Sequence, residues 1–394
     1  MAWNSVTDSS KTDRYSAAVR PEMPEAAAFR RKLLRWYNDN ARDLPWRRTH
    51  DPYAIWISEI MLQQTQVATV IDYYKRFLER FPTPTAVAEA AEEEVLSYWS
   101  GLGYYRRARQ LHAAAKEVVG KHDGVFPTTL ESIQELPGIG RYTASAIYSF
   151  SCDGRAAIVE ANTARLYARL MGLEEDVSTP KAQKALWQFA ESVIPKRGSG
   201  TGQCNQALIE LGSQLCTPQA PRCMICPVRN HCVAYEHGLQ DRIPAPKKKK
   251  EVTQLVHAMV ILRCEDQVLL RQNEAGQWWH GLWEFARLDM TNKDSRRRKV
   301  PATPKSRREP ILTSSEVQTE LWDQHHIECS GAEFQTVFSH AVTRYRIRLE
   351  CFIATAKTRL ETAELEGVWQ WCPIADLGLP LSAPSQRVQR QLLE

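Results

Sequence analysis

Cys216-Thr-Pro-Gln-Ala-Pro-Arg-Cys223-Met-Ile-Cys226-Pro-Val-Arg-Asn-His-Cys232 is the stretch whose reading decides the fold. It holds four of the chain's ten cysteines, spaced C-x6-C-x2-C-x5-C. Four thiolates at that density can hold zinc or an iron–sulfur cluster. Structural zinc usually takes two close cysteine pairs separated by a longer run. Here there is one such pair with the outer two nearby, so a compact loop around a single cubane fits better. The other six cysteines are scattered and read as small buried apolar residues.

Upstream of this box, from about Phe29 to Arg242, the pattern is helical. Apolar residues recur at helical spacing over 29–40, 55–80, 85–97, 104–119, 128–135, 141–150 and 161–171. Few alternating β-branched runs interrupt them, so this part reads as all-α. Downstream, Ile243-Pro-Ala-Pro-Lys-Lys-Lys-Lys-Glu251 joins proline to a charge run and reads as a linker. After it Val252–Cys264, Gln267–Gln272 and Tyr345–Ala354 alternate like strands, and 314–325 and 384–393 read as helices, which makes a second, α+β domain over 252–394. Residues 291–311 are basic and lack aromatics, as a mobile insertion would.

The chain has 394 residues, long enough for two domains, and its 43% hydrophobic content excludes disorder throughout. No apolar run reaches the roughly 18 residues of a membrane span. Residues 1–28 read as a disordered tail. Met1–Glu25 lacks a signal peptide's apolar core, and its acidic residues argue against a transit peptide. With no secretory signal, disulfides are a poor reading of the cysteines and a cytoplasmic location is expected. Lys and Arg number 51 against 46 Asp and Glu, an excess that permits a polyanion partner without demanding one. The basic residues are clustered, at Lys247–Lys250 and at Arg296–Lys299 with Lys305, Arg307 and Arg308.

Two further motifs carry chemistry. In Leu136-Pro-Gly-Ile-Gly-Arg-Tyr-Thr143, Gly138 and Gly140 would let backbone amides approach a phosphate at the start of a helix. In Trp56-Ile-Ser-Glu-Ile-Met-Leu-Gln-Gln-Thr-Gln-Val67, Glu59 has Ile55, Trp56 and Leu62 as its helical neighbours. Burial among them raises a carboxyl pKa, and a carboxyl protonated near neutral pH can donate a proton.

The cysteine spacing, with Pro227 after the third ligand, resembles that of endonuclease III-type DNA glycosylases, which carry a [4Fe-4S] cluster. The hairpin resembles that of the helix-hairpin-helix superfamily. Glu59 followed by Gln63-Gln64-Thr65 resembles the MutY-type adenine DNA glycosylases, as do Leu44-Pro-Trp-Arg47, Gly101-Leu-Gly-Tyr-Tyr-Arg-Arg-Ala-Arg109 and Asn205-Gln-Ala-Leu-Ile-Glu-Leu-Gly212. The resemblance is close over 29–240 and looser over 252–390. It implies an all-α helix-hairpin-helix glycosylase domain over 29–242, holding the cluster through Cys216, Cys223, Cys226 and Cys232. It implies excision of adenine mispaired with 8-oxoguanine or guanine in duplex DNA; with no organelle address visible, a monomer in a bacterial-type cytoplasm, at the nucleoid, is expected. Glu59 would be the acid that protonates the adenine. Trp46, Arg47, Leu62 and Glu210 would line its pocket. Gln64 and Tyr104 would fill or wedge the helix as the base leaves the stack.

Tyr142 stands where bifunctional relatives place a Schiff-base lysine. A monofunctional glycosylase that leaves an abasic site is therefore expected. The family usually carries Asp-Gly-Asn after the hairpin; here Glu160, Ala161 and Asn162 occupy those positions. A carboxylate there would stabilise an oxocarbenium-like state, and Glu160 keeps the charge with one more methylene. Its bland alternative is a helix cap in a protein with weakened chemistry.

In the second domain, Leu269-Leu-Arg-Gln-Asn273 and Gly281-Leu-Trp-Glu-Phe285 resemble the Nudix-like domain of the same family. The hydrolase box is absent, which disfavours a nucleotide pyrophosphatase. Phe338-Ser339-His340 matches the loop that probes 8-oxoguanine there. Two competitors stay open: an endonuclease III-like glycosylase/lyase, opposed by Tyr142 and the second domain, and a DNA-binding relative that lost its chemistry at Glu160.

Overall fold

A computed structural model describes residues 19–196, 199–246, 251–291, 309–357 and 359–392. The basic clusters at Lys247–Lys250 and Arg296–Arg308, most of the expected insertion and the first 18 residues lie outside them. The chain forms two compact units, residues 1–89 with 110–248, and residues 90–109 with 249–394. The second unit thus takes in a segment, 90–109, that its place in the sequence assigned to the helical part.

The helical elements are α1 (Ala26–Asn40), α2 (Pro52–Leu62), α3 (Val67–Arg80), α4 (Pro84–Glu89), α5 (Glu92–Trp99), α6 (Arg106–His122), α7 (Leu130–Glu135), α8 (Arg141–Cys152), α9 (Ala161–Met171), α10 (Pro180–Val193), α11 (Thr201–Gln214) and α12 (Val233–Glu236). Of these, α5 falls in the second unit. Residues 19–28, expected in the tail, are placed: Arg20 donates its backbone N–H to Met171 at 2.9 Å, and Met23 is buried. The apolar faces of α1, α9, α10 and α11 share one core that includes Phe29, Tyr167 and Phe189.

The helix expected over 55–80 is two. α2 ends at Leu62 and α3 starts at Val67, because Gln64 takes a left-handed backbone at φ 57. Along α2 every residue from Tyr53 to Met61 is buried, so this helix runs through the core rather than along it. Asp51 caps it, accepting from the Tyr53 N–H at 3.0 Å, and Pro52 opens it.

The second unit holds β1 (Thr253–Cys264), β2 (Gln267–Gln272), β3 (Trp283–Asp289), α13 (Ser314–His325), β4 (Cys329–Val342), β5 (Tyr345–Ala356), β6 (Trp369–Pro373) and α14 (Ala383–Leu392). One sheet runs β4-β5-β1-β3-β2-β6, parallel between β1 and β5 and antiparallel elsewhere. β1 is buried on both faces from Val256 to Leu262. Its even-numbered residues join a core with Val317 and Leu321 of α13, and Met259 and Ile261 join one with Val388 of α14. That is an α+β layer arrangement with a core on each side of the sheet.

Candidate active site

The helical unit contains a cavity of about 220 Å³. Its walls come from the turn at Pro45–Arg47, from α2, α8 and α11, and from the start of α9. Trp46, Arg47, Glu59, Leu62, Tyr142, Glu160 and Asn162, singled out from the sequence, all line it.

Glu59 is 6% exposed. The Tyr142 hydroxyl donates to its Oε2 at 2.9 Å across 83 residues of sequence. Burial pushes the Glu59 carboxyl up to about 7; the nearby Glu160 charge adds to the rise, and the Tyr142 hydrogen bond and Arg47 oppose it. A carboxyl poised there is protonated in a large fraction of molecules near neutral pH and can act as a general acid.

Glu160 is the N-cap of α9. Its Oε1 accepts from the Thr163 N–H at 2.8 Å, and the Thr163 hydroxyl accepts in turn from the Glu160 N–H at 2.8 Å, a reciprocal cap. Its Oε2 accepts from Asn162 Nδ2 at 3.3 Å, while Arg165 fixes that amide by donating to Asn162 Oδ1 at 3.0 Å. Capping and facing the cavity are therefore not alternatives for this residue. Burial raises the Glu160 pKa, while the Asn162 and Thr163 hydrogen bonds and Arg165 hold it down.

Glu210 departs from expectation. It is fully buried, does not line the cavity, and supports the two arginines that do. Its Oε1 accepts from Arg42 Nε at 2.8 Å and its Oε2 from Arg47 at 2.7 Å. These guanidinium bonds hold its pKa at about 2 against the effect of burial. Arg42, Ser58 and Gln206, which the sequence reading gave no role, also line the cavity. Arg42 shares Glu210 with Arg47 five residues away, a pairing no local pattern signals.

Around the cavity, Gln64 is exposed with its backbone left-handed. In the hairpin Gly138 has φ 76, and a Cβ there would sit 2.7 Å from the Gln110 Cβ, so only glycine fits without strain. Gly140 is the N-cap of α8. Tyr104 is 58% exposed, also left-handed at φ 50, and belongs to the other unit. Phe338-Ser339-His340 belongs there too. It lies not in a loop but near the end of β4, one of the two edge strands, paired with Leu349, Arg348 and Ile347 of β5. Phe338 is buried and Ser339 exposed, as strand alternation requires.

Cys216, Cys223, Cys226 and Cys232 line one small hollow with Leu166, Leu170 and Val228. The donor set suits a cluster: four thiols face a common apolar space, and Arg169 donates to Cys216 Sγ at 3.3 Å. Among the described residues no three Cys, His, Asp or Glu side chains gather to hold a single metal ion. No helix among the described residues is long and apolar enough to cross a membrane.

Residues 57–192 match the family of HhH-GPD superfamily base excision DNA repair proteins, and residues 257–391 match the NUDIX domain. An adenine DNA glycosylase of Rattus norvegicus is 44% identical over 234 residues, 57% of this chain and 45% of the rat protein. One of Buchnera aphidicola subsp. Schizaphis graminum is 36% identical over 262 residues, 66% of this chain and 75% of its own. A solved thermostable thymine-DNA glycosylase covers 54% of this chain and 97% of its own at 30% identity and a TM-score of 0.49. The match thus spans under half of the rat relative and three quarters of the bacterial one.

Proposed function

The chain belongs to the adenine DNA glycosylase family, and on that premise we propose that it excises adenine opposite 8-oxoguanine or guanine in duplex DNA. One observation carries the chemistry: Glu59, with its pKa near 7, shares a cavity with Glu160 and is held by Tyr142. In this reading the Glu59 carboxyl protonates the adenine. The N-glycosidic bond then breaks with its electron pair leaving on the base. Positive charge develops on the sugar, and the Glu160 carboxylate stabilises it. Water adds at the sugar carbon and loses a proton, leaving an abasic site. Trp46 and Leu62 give the base an apolar wall. Gln64 and Tyr104 occupy the helix it vacates; a left-handed backbone at two side-chain-bearing residues is the kind of strain found at working sites. Ser339 and His340 read the base opposite.

Cys216, Cys223, Cys226 and Cys232 would hold a [4Fe-4S] cluster, which when bound ties the loop 216–232 to α9. Tyr142 offers no amine, so the reaction stops at the abasic site, and the reading of a glycosylase/lyase loses its nucleophile. Placement of Glu160 on the cavity wall favours an active enzyme over a binding relative.

The test is a single-turnover reaction on duplexes with adenine opposite 8-oxoguanine or guanine. Free adenine should appear from both, and borohydride should trap no protein–DNA adduct. A trapped adduct, or intact glycosidic bonds in both duplexes, would sink the proposal.

A further inference from the structure

Beneath the exposed Ser339, on the opposite face of β4, five side chains form a ladder. Arg387 of α14 lies with Cζ 4.3 Å from the Phe338 ring centre. The Phe338 and His340 rings are 6.3 Å apart, and His340 lies 5.7 Å from Trp279. Arg287 of β3 closes the ladder, Cζ 4.7 Å from the Trp279 ring. Three consecutive rings thus lie between two terminal cations, with ring–ring contacts inside and a cation–π contact at each end.

Strand pairing with β5 fixes the backbone of the segment, and two observations tie its side chains to the ring ladder. Both ring nitrogens of His340 are buried without a hydrogen-bond partner among the described residues, and its ring packs against those of Phe338 and Trp279. Trp279 has φ 55, a backbone that a residue with so large a side chain adopts only where its surroundings over-determine it. Its neighbour Trp278 packs on Tyr345, the first residue of β5, with ring centres 5.4 Å apart. The two adjacent indoles therefore grip both strands of the hairpin whose turn is Thr343-Arg344.

We propose that Trp279 is a positioning residue for mispair discrimination: through the ladder it fixes the pose of Phe338-Ser339-His340 and so sets the preference for 8-oxoguanine over guanine opposite the adenine. This rests on the reading of that segment as the probe of the opposite base. Neither Trp279 nor Arg387 touches DNA in this account; both act through His340 and Phe338.

The experiment measures the ratio of single-turnover excision rates, adenine opposite 8-oxoguanine over adenine opposite guanine, in full-length variants checked by thermal melting. Trp279→Ala should lower the ratio about fivefold or more, the scale for residues in contact. Trp279→Phe keeps a ring and should stay within about twofold of wild type. Because Trp279 acts through His340, adding Trp279→Ala to Ser339→Ala/His340→Ala should lower the ratio no further. Arg387→Gln probes the other end of the ladder without removing a buried ring, and should lower the ratio by about twofold, the scale of an exposed cation–π contact. If Ser339→Ala/His340→Ala lowers the ratio while Trp279→Ala and Arg387→Gln leave it unchanged, the ladder is not the positioning device. Additive losses in the triple variant overturn it too. An unchanged ratio in Ser339→Ala/His340→Ala removes the segment as probe, and the ladder's role falls with it.

Discussion

Glu160 carries two duties at one carboxyl, and they make opposite demands on its substitution. The cap on α9 needs an acceptor at the N-cap; the proposed chemistry needs a charge facing the cavity. Glu160→Gln keeps an acceptor and loses the charge, so the fold should survive while single-turnover excision falls by about 10²-fold or more. Glu160→Asp keeps both, since Asp is among the best N-caps, and should stay within about tenfold of wild type. Full activity in Glu160→Gln would reduce the residue to a cap. That Glu59 would be buried was legible from its apolar neighbours at helical spacing. Its bond to Tyr142 was not, because the partner lies 83 residues away. Nor was the burial of Glu210, whose motif places it near the pocket but cannot say that it stands behind Arg42 and Arg47, which form the wall.

At the scale of elements, α9 and α11 meet through a glycine. A Cβ on Gly212 would lie 2.9 Å from the Asn162 carbonyl oxygen, closer than real contacts allow. Gly212→Ala should therefore push α11 from the start of α9, where Asn162 holds Glu160. We expect a loss of about 1–3 kcal/mol, the usual range for overpacking, seen as a lower melting temperature together with slower excision. Wild-type values for both would show that the helices yield without cost. The loop 216–232 makes a separate demand. Protein purified without air should carry about four iron and four sulfide per chain, whereas equimolar zinc without iron would contradict the cluster. Helix periodicity found most helices but ran through the break at Gln63–Gln66, because a single left-handed residue leaves the apolar spacing unchanged. In the second unit the sequence patterns missed β3, β4 and β6. β4 is an edge strand with only partial alternation, and β6 spans five residues.

For the whole molecule, the two-part division was legible from the shift of pattern after Ile243, but the membership of 90–109 was not. Its packing is with the sheet-bearing unit, where the Gln386 side chain donates to Ser100 Oγ, and where a Cβ on Gly281 would lie 2.7 Å from Arg109. Nothing local in that segment signals such distant partners. The consequence is a separation of labour in the proposal. Glu59, Tyr142 and Glu160 lie in one unit, and Tyr104 and the Phe338–His340 strand lie in the other. The central claim belongs to the first, that a protonated Glu59 drives excision, and its pH dependence has a definite sign. The active form is the acid, so the rate should fall as pH rises through about 7, where the Glu59 carboxyl ionises. It should also fall on the acid side as Glu160, which must be charged, takes up a proton. The most direct measurement is the single-turnover excision rate across pH for wild type and Glu59→Gln, with duplex containing adenine opposite 8-oxoguanine bound to saturation. The account predicts the falling alkaline limb in wild type. In Glu59→Gln it predicts binding retained, a rate lower by about 10²-fold or more, and no such limb. A Glu59→Gln rate near wild type, with the alkaline limb intact, would contradict it.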